Sequence, residues 1–292
     1  MRVVDAFSGA GGFACGAMRA GANVILAVDC DSAMLRLHAG NSGAEARCAT
    51  LWRDSVDWPD PLPDIHIHLS PPCIMLSSAR RGVSSERDMQ LGVDDIRKSL
   101  DFVLDRKYVS WSLENVSQPG VRALLSNYAA KWPTRVAWTE LDASDCGAPT
   151  NRVRLIAGPP RMIALLRELP VRRCSVADAF AARGMELPAQ YIKNATRRRN
   201  GRACMRSVHG PAHCQTASHP LTWCTADGST VRCLTVRETA VLQDFPDEWM
   251  LPRGSRDGIH ALGNAVIPAV GEAIMKCAMK ARQKSECRDG GG

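Results

Sequence analysis

The chain has 292 residues, of which 45% are hydrophobic, so it can form one large domain or a large and a small one. It shows no signal peptide and no apolar run of 18 residues, and its twelve cysteines lack a framework spacing, which together predict a soluble intracellular protein with reduced thiols. The net charge of +7 favours a polyanionic partner such as nucleic acid.

The first thirty residues predict a nucleotide-binding opening: a strand over residues 2–7, a glycine-rich turn, a small-residue helix over 13–20 and a strand over 23–28. Glycines allow the backbone to approach a ligand closely, and the helix amino end favours electronegative groups. The spacing is G-x-G-G, not the dinucleotide fingerprint G-x-G-x-x-G, so an ordinary glycine turn is the alternative. Asp29 ends the second strand, where it can accept both hydroxyls of a ribose or else cap the helix that begins near Ser32.

The next part is irregular over residues 44–63, around a short third strand, and leads to a strand candidate over 65–69. Pro71 and Pro72 fix φ and remove two donors, so this strand ends there and presents Cys73 in a stiff loop. A thiol attacks as thiolate and needs a polar, partly open site, such as the carboxyl end of a strand. Cys73 is therefore the candidate nucleophile, and an inert core cysteine is the alternative.

A helix over residues 94–105 and a strand over 108–113 then deliver Glu114. Because the carboxyl ends of parallel strands share one edge of a sheet, Glu114 and Cys73 can converge. A helix over 121–131 and a strand over 135–141 continue the alternation, which predicts an α/β fold with a mostly parallel sheet.

A strand over 152–157 follows and places Arg152 and Arg154 on one face. Two arginines there can orient a carboxylate and bind an anion, or simply guard an exposed strand edge.

The pattern changes after residues 158–160. Residues 161–232 contain weaker helical pieces and a basic stretch over 193–202, which predict a second, smaller domain whose basic stretch is a phosphate-contacting loop or a solvated charge run. The cysteines and histidines between 204 and 233 include no C-x-x-C pair, so no metal site is expected. A last helix is expected over about 264–284, with its buried face formed by Val266, Val270, Ile274 and Ala278.

Taken in order along nearly the whole chain, several segments resemble the motifs of the DNA (cytosine-5) methyltransferases. The segments that carry the resemblance are residues 5–13 (DAFSGAGGF), 29–31 (DCD), 70–73 (SPPC), 114–116 (ENV), 152–154 (RVR), 237–246 (RETAVLQDFP) and 263–268 (GNAVIP).

The resemblance implies a Rossmann-like, S-adenosylmethionine-dependent fold, with residues 1–158 plus 259–292 as catalytic and cofactor-binding domain and 159–258 as target-recognition domain. It implies a monomer, without a metal, that methylates carbon 5 of cytosine in double-stranded DNA after the base is flipped out. Cys73 would add to carbon 6, Glu114 would protonate or hydrogen-bond ring nitrogen 3, and Arg152 and Arg154 would hold the cytosine oxygen, the phosphate and Glu114. The implied S-adenosylmethionine contacts are Phe7, Ser8, Gly9, Ala10, Gly11, Gly12, Asp29, Cys30, Pro72, Asn264 and Val266.

The chain departs from the family at three places. Ile74 and Thr150 stand where the family usually has Gln, and Asp54 is the nearest candidate for the acidic residue at the adenine amino group. One rival is the tRNA-methylating branch of the same fold, whose Cys-Phe-Thr element is absent here. A catalytically silent nucleic-acid-binding protein is the other, although both Cys73 and Glu114 are retained.

Overall fold

The computed structural model describes residues 1–72, 86–199 and 202–289, with their side chains except those of 86–92, 195–199, 202 and 284–289. In this part of the chain a seven-stranded sheet is covered by helices on both faces, and a smaller sheet has four strands. The predicted α/β class with a mostly parallel central sheet is confirmed.

The larger sheet has one reversed strand. Its strands are β1 Arg2–Ala6, β2 Asn23–Asp29, β3 Glu45–Cys48, β4 Ile65–Leu69, β5 Trp111–Val116, β6 Ala137–Asp142 and β7 Val153–Gly158. Their spatial order is β3-β2-β1-β4-β5-β7-β6, parallel from β3 to β5, with β7 antiparallel to both of its neighbours. Because β7 is reversed, it begins at the edge where the parallel strands end, and this brings Arg152 and Arg154 to that edge.

Helices cover both faces of this sheet. The helices in the described residues are α1 Gly12–Arg19, α2 Ser32–Ser42, α3 Glu86–Asp105, α4 Pro119–Lys131, α5 Pro160–Arg167, α6 Val176–Ala181, α7 Val236–Leu242, α8 Ser255–Asn264 and α9 Pro268–Asp289. Of these, α6 and α7 pack in the core of the smaller sheet described below. The first core lies under α1, α2, α5 and α9, and the second lies under α3 and α4. The predicted apolar face of α3, formed by Ile96, Leu100, Val103 and Leu104, is buried.

The single last helix expected over 264–284 is wrong at its beginning. Helix α8 ends at Asn264, three residues in extended or turning conformation follow, and α9 begins at Pro268. Proline is favoured at the first position of a helix and disfavours helical conformation in the residue before it, which explains the break. The buried positions Val266, Val270, Ile274 and Ala278 are nevertheless confirmed, because the apolar pattern continues across the break.

The smaller sheet lies in the predicted second domain. Its strands are β8 Tyr191–Arg199, β9 Arg202–Ser207, β10 Thr222–Cys224 and β11 Thr230–Cys233, in the order β11-β10-β8-β9 and all antiparallel. Phe180 and Trp223 pack edge to face at 5.5 Å in its core. The described part of the basic stretch 193–202 is thus mostly strand rather than loop. The domain division at residue 159 stays a prediction, and α5 packs within the first core, on α9.

One described stretch, Ser255–Gln283, contains an 18-residue window whose mean hydropathy (1.2) is that of a candidate membrane span, and 78% of that window is buried inside the fold. Burial of this kind is typical of core helices.

Candidate active site

A cleft of about 670 Å³ lies at the carboxyl edge of the larger sheet. It brings together twelve of the residues predicted from the sequence: Phe7, Ser8, Gly9, Ala10, Asp29, Cys30, Pro72, Glu114, Arg152, Arg154, Asn264 and Val266. Gly11 and Gly12 lie behind this lining rather than in it. A second hollow of about 440 Å³, near Lys107 and Arg135, contains none of these residues.

The glycine loop, residues 7–12, is attached to the end of β2 through its backbone amides. Ser8 donates its amide to the Val28 carbonyl at 3.1 Å, and Gly9 donates its amide to Asp29 Oδ2 at 2.8 Å. Gly11 has φ +83°, which favours glycine. At Gly12 a Cβ would lie 1.9 Å from the Val266 carbonyl oxygen, so the absent side chain allows that segment to approach α1.

Asp29 ties the end of β2 to this loop. Its Oδ1 accepts from the Asp31 amide at 2.9 Å, while the cap of α2 is Asp31, whose carboxylate accepts from the amides of Ala33 and Met34. The alternative that Asp29 caps the helix is therefore wrong. Each Asp29 oxygen can still accept a further hydrogen bond from a ligand.

Two buried polar atoms at the base of the cleft have no hydrogen-bond partner among the described residues. These are Asp5 Oδ1 and Ser8 Oγ, whose residues are 1% and 7% exposed. The other Asp5 oxygen lies 3.2 Å from His38 Nε2, and burial raises the pKa of Asp5. Since a buried polar atom without a partner costs free energy, these atoms suit a site that a polar ligand completes.

An aromatic wall that the sequence analysis missed follows β3. Leu51 and Trp52 line the cleft, and the Trp52 ring lies 6.0 Å from that of Phe7. Asp54, the candidate for the adenine contact, is not part of the described lining, and its carboxylate accepts from the Thr50 amide at 2.6 Å. Their place in the sequence could have revealed Leu51 and Trp52, because residues that follow a parallel strand lie at the edge of the sheet where ligands bind.

Glu114 and Arg154 form an ion pair inside the cleft. Arg154 Nε lies 3.0 Å from Glu114 Oε1, and the two side chains are only 14% and 10% exposed. The pair joins β5 to the reversed strand β7, and of the two arginines it is Arg154 that lies beside the carboxylate. An oriented carboxyl group of this kind can donate or accept a proton.

Arg152 instead binds three backbone carbonyls that belong to two distant segments. Its guanidinium donates to the carbonyls of Gln215 at 3.3 Å, Gly263 at 2.9 Å and Ala265 at 3.1 Å. Its own amide donates to Asp142 at 2.9 Å. Arg152 therefore joins the carboxyl edge of the sheet to the segment after α8 and to the loop at Gln215.

That loop receives two further contacts. Thr150, which departs from the family's Gln, donates its hydroxyl to the His213 carbonyl at 3.1 Å. Cys214 lies 3.8 Å from Arg152 Nη1. Burial opposes ionisation of the Cys214 thiol, but the neighbouring Arg152 and Arg154 hold its pKa below the ordinary value.

Cys73 and Ile74 lie outside the described residues, so the nucleophile stays a prediction. The two residues that lead to the segment are well anchored: Ser70 donates its hydroxyl to the Phe7 carbonyl at 3.2 Å, and Asn115 donates its amide to the Pro71 carbonyl at 2.9 Å. Pro72 lines the cleft.

The far wall of the cleft comes from the α8–α9 junction and not from the last helix. Asn264 Nδ2 lies 3.2 Å from His260 Nε2, and both residues line the cleft with Val266. His260 and three residues of α3, Asp94, Asp95 and Lys98, also line the cleft, although no motif in the sequence marks them. Within the described ranges, no group of three or more His, Cys, Asp or Glu side chains is arranged to hold a metal ion.

Comparison with known proteins gives a family signature and a shared fold. Residues 172–280 match the model of the C-5 cytosine-specific DNA methylase family. The whole chain is similar to a DNA modification methyltransferase encoded within a prophage (E. coli), with 20% identity, a TM-score of 0.65 and coverage of 97% of this chain and 99% of that one.

Two eukaryotic structures are also similar. Spodoptera frugiperda DNMT2 has 15% identity and a TM-score of 0.59, and the match covers 95% of this chain and 99% of that one. The Entamoeba histolytica methyltransferase EhMeth has 15% identity and a TM-score of 0.62, and the match covers 96% of this chain and 98% of that one. No curated protein matches the chain. The resemblance predicted from the sequence is thus confirmed: the chain shares the fold of these methyltransferases, and residues 172–280 match the family model of the C-5 cytosine-specific DNA methylases.

Proposed function

We propose that this chain, with its C-5 cytosine methyltransferase fold, transfers a methyl group from S-adenosylmethionine to carbon 5 of cytosine in double-stranded DNA. The observation that carries the proposal is the meeting, in one cleft, of the glycine loop and Asp29 with the Glu114–Arg154 ion pair. A ligand site and a proton-transferring group are what such a reaction needs side by side.

The cleft residues fit S-adenosylmethionine. A volume of about 670 Å³ suits a ligand that joins a nucleoside to an amino acid. Asp29 would accept the ribose hydroxyls, Phe7 and Trp52 would contact the adenine, and the unpartnered Asp5 Oδ1 and Ser8 Oγ would meet polar groups of the same ligand. When bound, S-adenosylmethionine supplies an electrophilic methyl group.

The chain's own residues would prepare the cytosine. Carbon 5 is a poor nucleophile, so Cys73 would add as thiolate to carbon 6 while Glu114 gives a proton to ring nitrogen 3, which makes carbon 5 electron-rich. Arg154 would keep Glu114 oriented toward the ring. After transfer the carbon 5 proton would leave to water, ring nitrogen 3 would return its proton to Glu114, and the bond from carbon 6 to sulfur would break to release Cys73 as thiolate. Because carbon 6 cannot be reached inside a duplex, the base must be flipped into the cleft.

DNA is favoured over tRNA because the family whose signature lies in residues 172–280 is a DNA methylase family. The net charge of +7 suits either of these polyanions. We propose that the protein acts as a monomer inside the cell, without a membrane or a metal ion. Methylation of tRNA by the same fold is the alternative that the experiment must separate.

The test is methyl transfer from methyl-labelled S-adenosylmethionine to long duplex DNA of mixed sequence and, separately, to tRNA, followed by nucleoside mass spectrometry. We expect label in 5-methyldeoxycytidine from the duplex. Label confined to tRNA would support the RNA branch, and absence of transfer to both, with the cofactor bound, would leave a nucleic-acid-binding protein.

A further inference from the structure

The glycine loop is held from behind by a tryptophan that lies 239 residues away in the chain. Trp249 donates its indole Nε1–H to the Ala10 carbonyl at 2.9 Å, and this hydrogen bond is buried. Ala10 lines the cleft, whereas Trp249 does not. The hydrogen bond therefore fixes the backbone of a residue whose other side faces the cleft.

The imidazole ring of His38 packs against the same side of the glycine loop as Trp249. A Cβ at Gly11 would lie 3.0 Å from Trp249 Cζ2 and 2.9 Å from His38 Cδ2, so both rings pack directly against the loop. The His38 ring is held at both nitrogens, by Asp5 Oδ2 at 3.2 Å and Ser42 Oγ at 3.1 Å. The underside of the loop thus rests on two rings that cannot move independently of their anchors.

The segment that carries Trp249 is itself fastened to the helices that flank the loop. Arg19 of α1 binds Asp244 through the carboxylate at 2.6 Å and the carbonyl at 2.7 Å. Asn41 of α2 exchanges two hydrogen bonds with the Met250 backbone, at 2.8 and 3.0 Å. Residues 244–250 therefore form a latch across α1 and α2.

We propose that Trp249 is a positioning residue for S-adenosylmethionine, which holds the glycine loop in the shape that binds the cofactor. The inference rests on the proposed function, because it concerns the same cleft. When the loop is already in its binding shape, less of the binding free energy is lost to ordering it. Loss of the latch should therefore weaken cofactor affinity more than it changes the chemical step.

The variant Trp249→Phe tests this most directly. It removes the N–H donor and keeps an aromatic ring, so the Ala10 carbonyl loses a buried partner. We expect the Kd for S-adenosylmethionine, measured by calorimetry, to rise about fivefold to tenfold. The KM for the cofactor should rise by the same factor, with kcat at saturating cofactor within about twofold of wild type.

Trp223→Phe is the matched control. Trp223 is fully buried in the core of the smaller sheet, and its Nε1 has no partner among the described residues, so this change removes packing volume without a hydrogen bond. It should lower the Tm and leave the Kd for S-adenosylmethionine unchanged. Asn41→Ala, which breaks the two Met250 contacts outside the cleft, should raise the Kd about twofold to threefold and decides the matter if Trp249→Phe does not fold.

A Kd for Trp249→Phe equal to that of wild type, with a Tm loss like that of Trp223→Phe, would reduce Trp249 to a packing residue and overturn the proposal. The same applies to an unchanged Kd in Asn41→Ala if only that variant folds. A wild-type protein that binds no S-adenosylmethionine would instead overturn the proposed function itself, and the inference with it.

Discussion

The two ends of the cleft are built differently. The end with the glycine loop is held by loop amides that donate to the end of β2, from Ser8 to the Val28 carbonyl and from Gly9 to the Asp29 carboxylate, and from behind by Trp249. The end with Glu114 depends on side chains that reach across 40 to 113 residues, from Arg154 to Glu114 and from Arg152 to Ala265. The contacts between the glycine loop and β2 can form as soon as β1 and β2 pair, whereas the Trp249 contact and the whole of the second end require nearly the full chain.

The largest effect should come from changing the carboxyl group at the second end. Glu114→Gln keeps a hydrogen-bonding side chain of similar shape but cannot supply a proton, so methyl transfer should fall on the order of a hundredfold or more. The measurement is single-turnover methyl transfer, with cofactor affinity and Tm as controls that should stay near wild type. Activity within a few-fold of wild type would mean that Glu114 has no proton-transfer role.

The two arginines should separate stability from activity. Arg152→Met leaves three backbone carbonyls without their donor, so the free energy of unfolding should fall by about 3 kcal/mol. Arg154→Met leaves Glu114 facing the cleft, where water or a proton can reach it, so it should cost less stability and about tenfold in methyl transfer. Urea unfolding and initial rates measure the two quantities, and the reverse ranking would contradict these roles.

The first end is tested by Asp29→Asn. The amide removes the charge that strengthens hydrogen bonds from ribose hydroxyls, so the Kd for S-adenosylmethionine should rise about tenfold. Asp54→Asn is the matched control and should leave the Kd unchanged, because Asp54 lies outside the described cleft lining. A larger effect at Asp54 than at Asp29 would restore the adenine contact suggested by the sequence.

A buried histidine of β4, in the larger sheet, should make the free energy of unfolding depend on pH. His66 is fully buried between Ser110 and Ser112, and burial lowers its pKa to about 3. In the unfolded chain the imidazole gains a proton below about pH 6.5, which the folded protein cannot take. The free energy of unfolding should therefore fall as the pH drops from 6.5 toward 3, by about 1.4 kcal/mol per unit for this group.

Urea unfolding at pH 7, 6 and 5 measures this slope in wild type and in His66→Gln. The variant should show a shallower slope whatever its stability at pH 7. Burial also lowers the pKa of the neighbouring His68, so part of the slope should remain in the variant. Identical slopes in the two proteins would mean that His66 titrates alike in the folded and unfolded states.

The sequence predicted what depends on local pattern. The strand before Pro71, the buried face of α3 and the position of Asp29 at the end of β2 are all encoded within a few residues, by alternation, helical period or spacing. These features place the glycine loop and Asp29 in the cleft.

What the sequence did not predict depends on direction and on distant contacts. The period of β7 does not reveal that it runs against its neighbours, and the apolar pattern across Pro268 hid the break between α8 and α9. Arg152 was expected at the substrate, but three of its partners are carbonyls from two distant segments. Trp52 belongs to no motif, and it reaches the cleft because it follows the carboxyl end of β3.

The most direct test of the account is covalent trapping. A long duplex in which 5-fluorocytosine replaces cytosine is incubated with the protein and S-adenosylmethionine, and the linked peptide is identified by mass spectrometry. The fluorine blocks loss of the group on carbon 5, so the adduct at carbon 6 persists. We predict a link at Cys73 that disappears in Cys73→Ser, together with all methyl transfer. A link at another of the twelve cysteines, or substantial turnover by Cys73→Ser, would contradict the account.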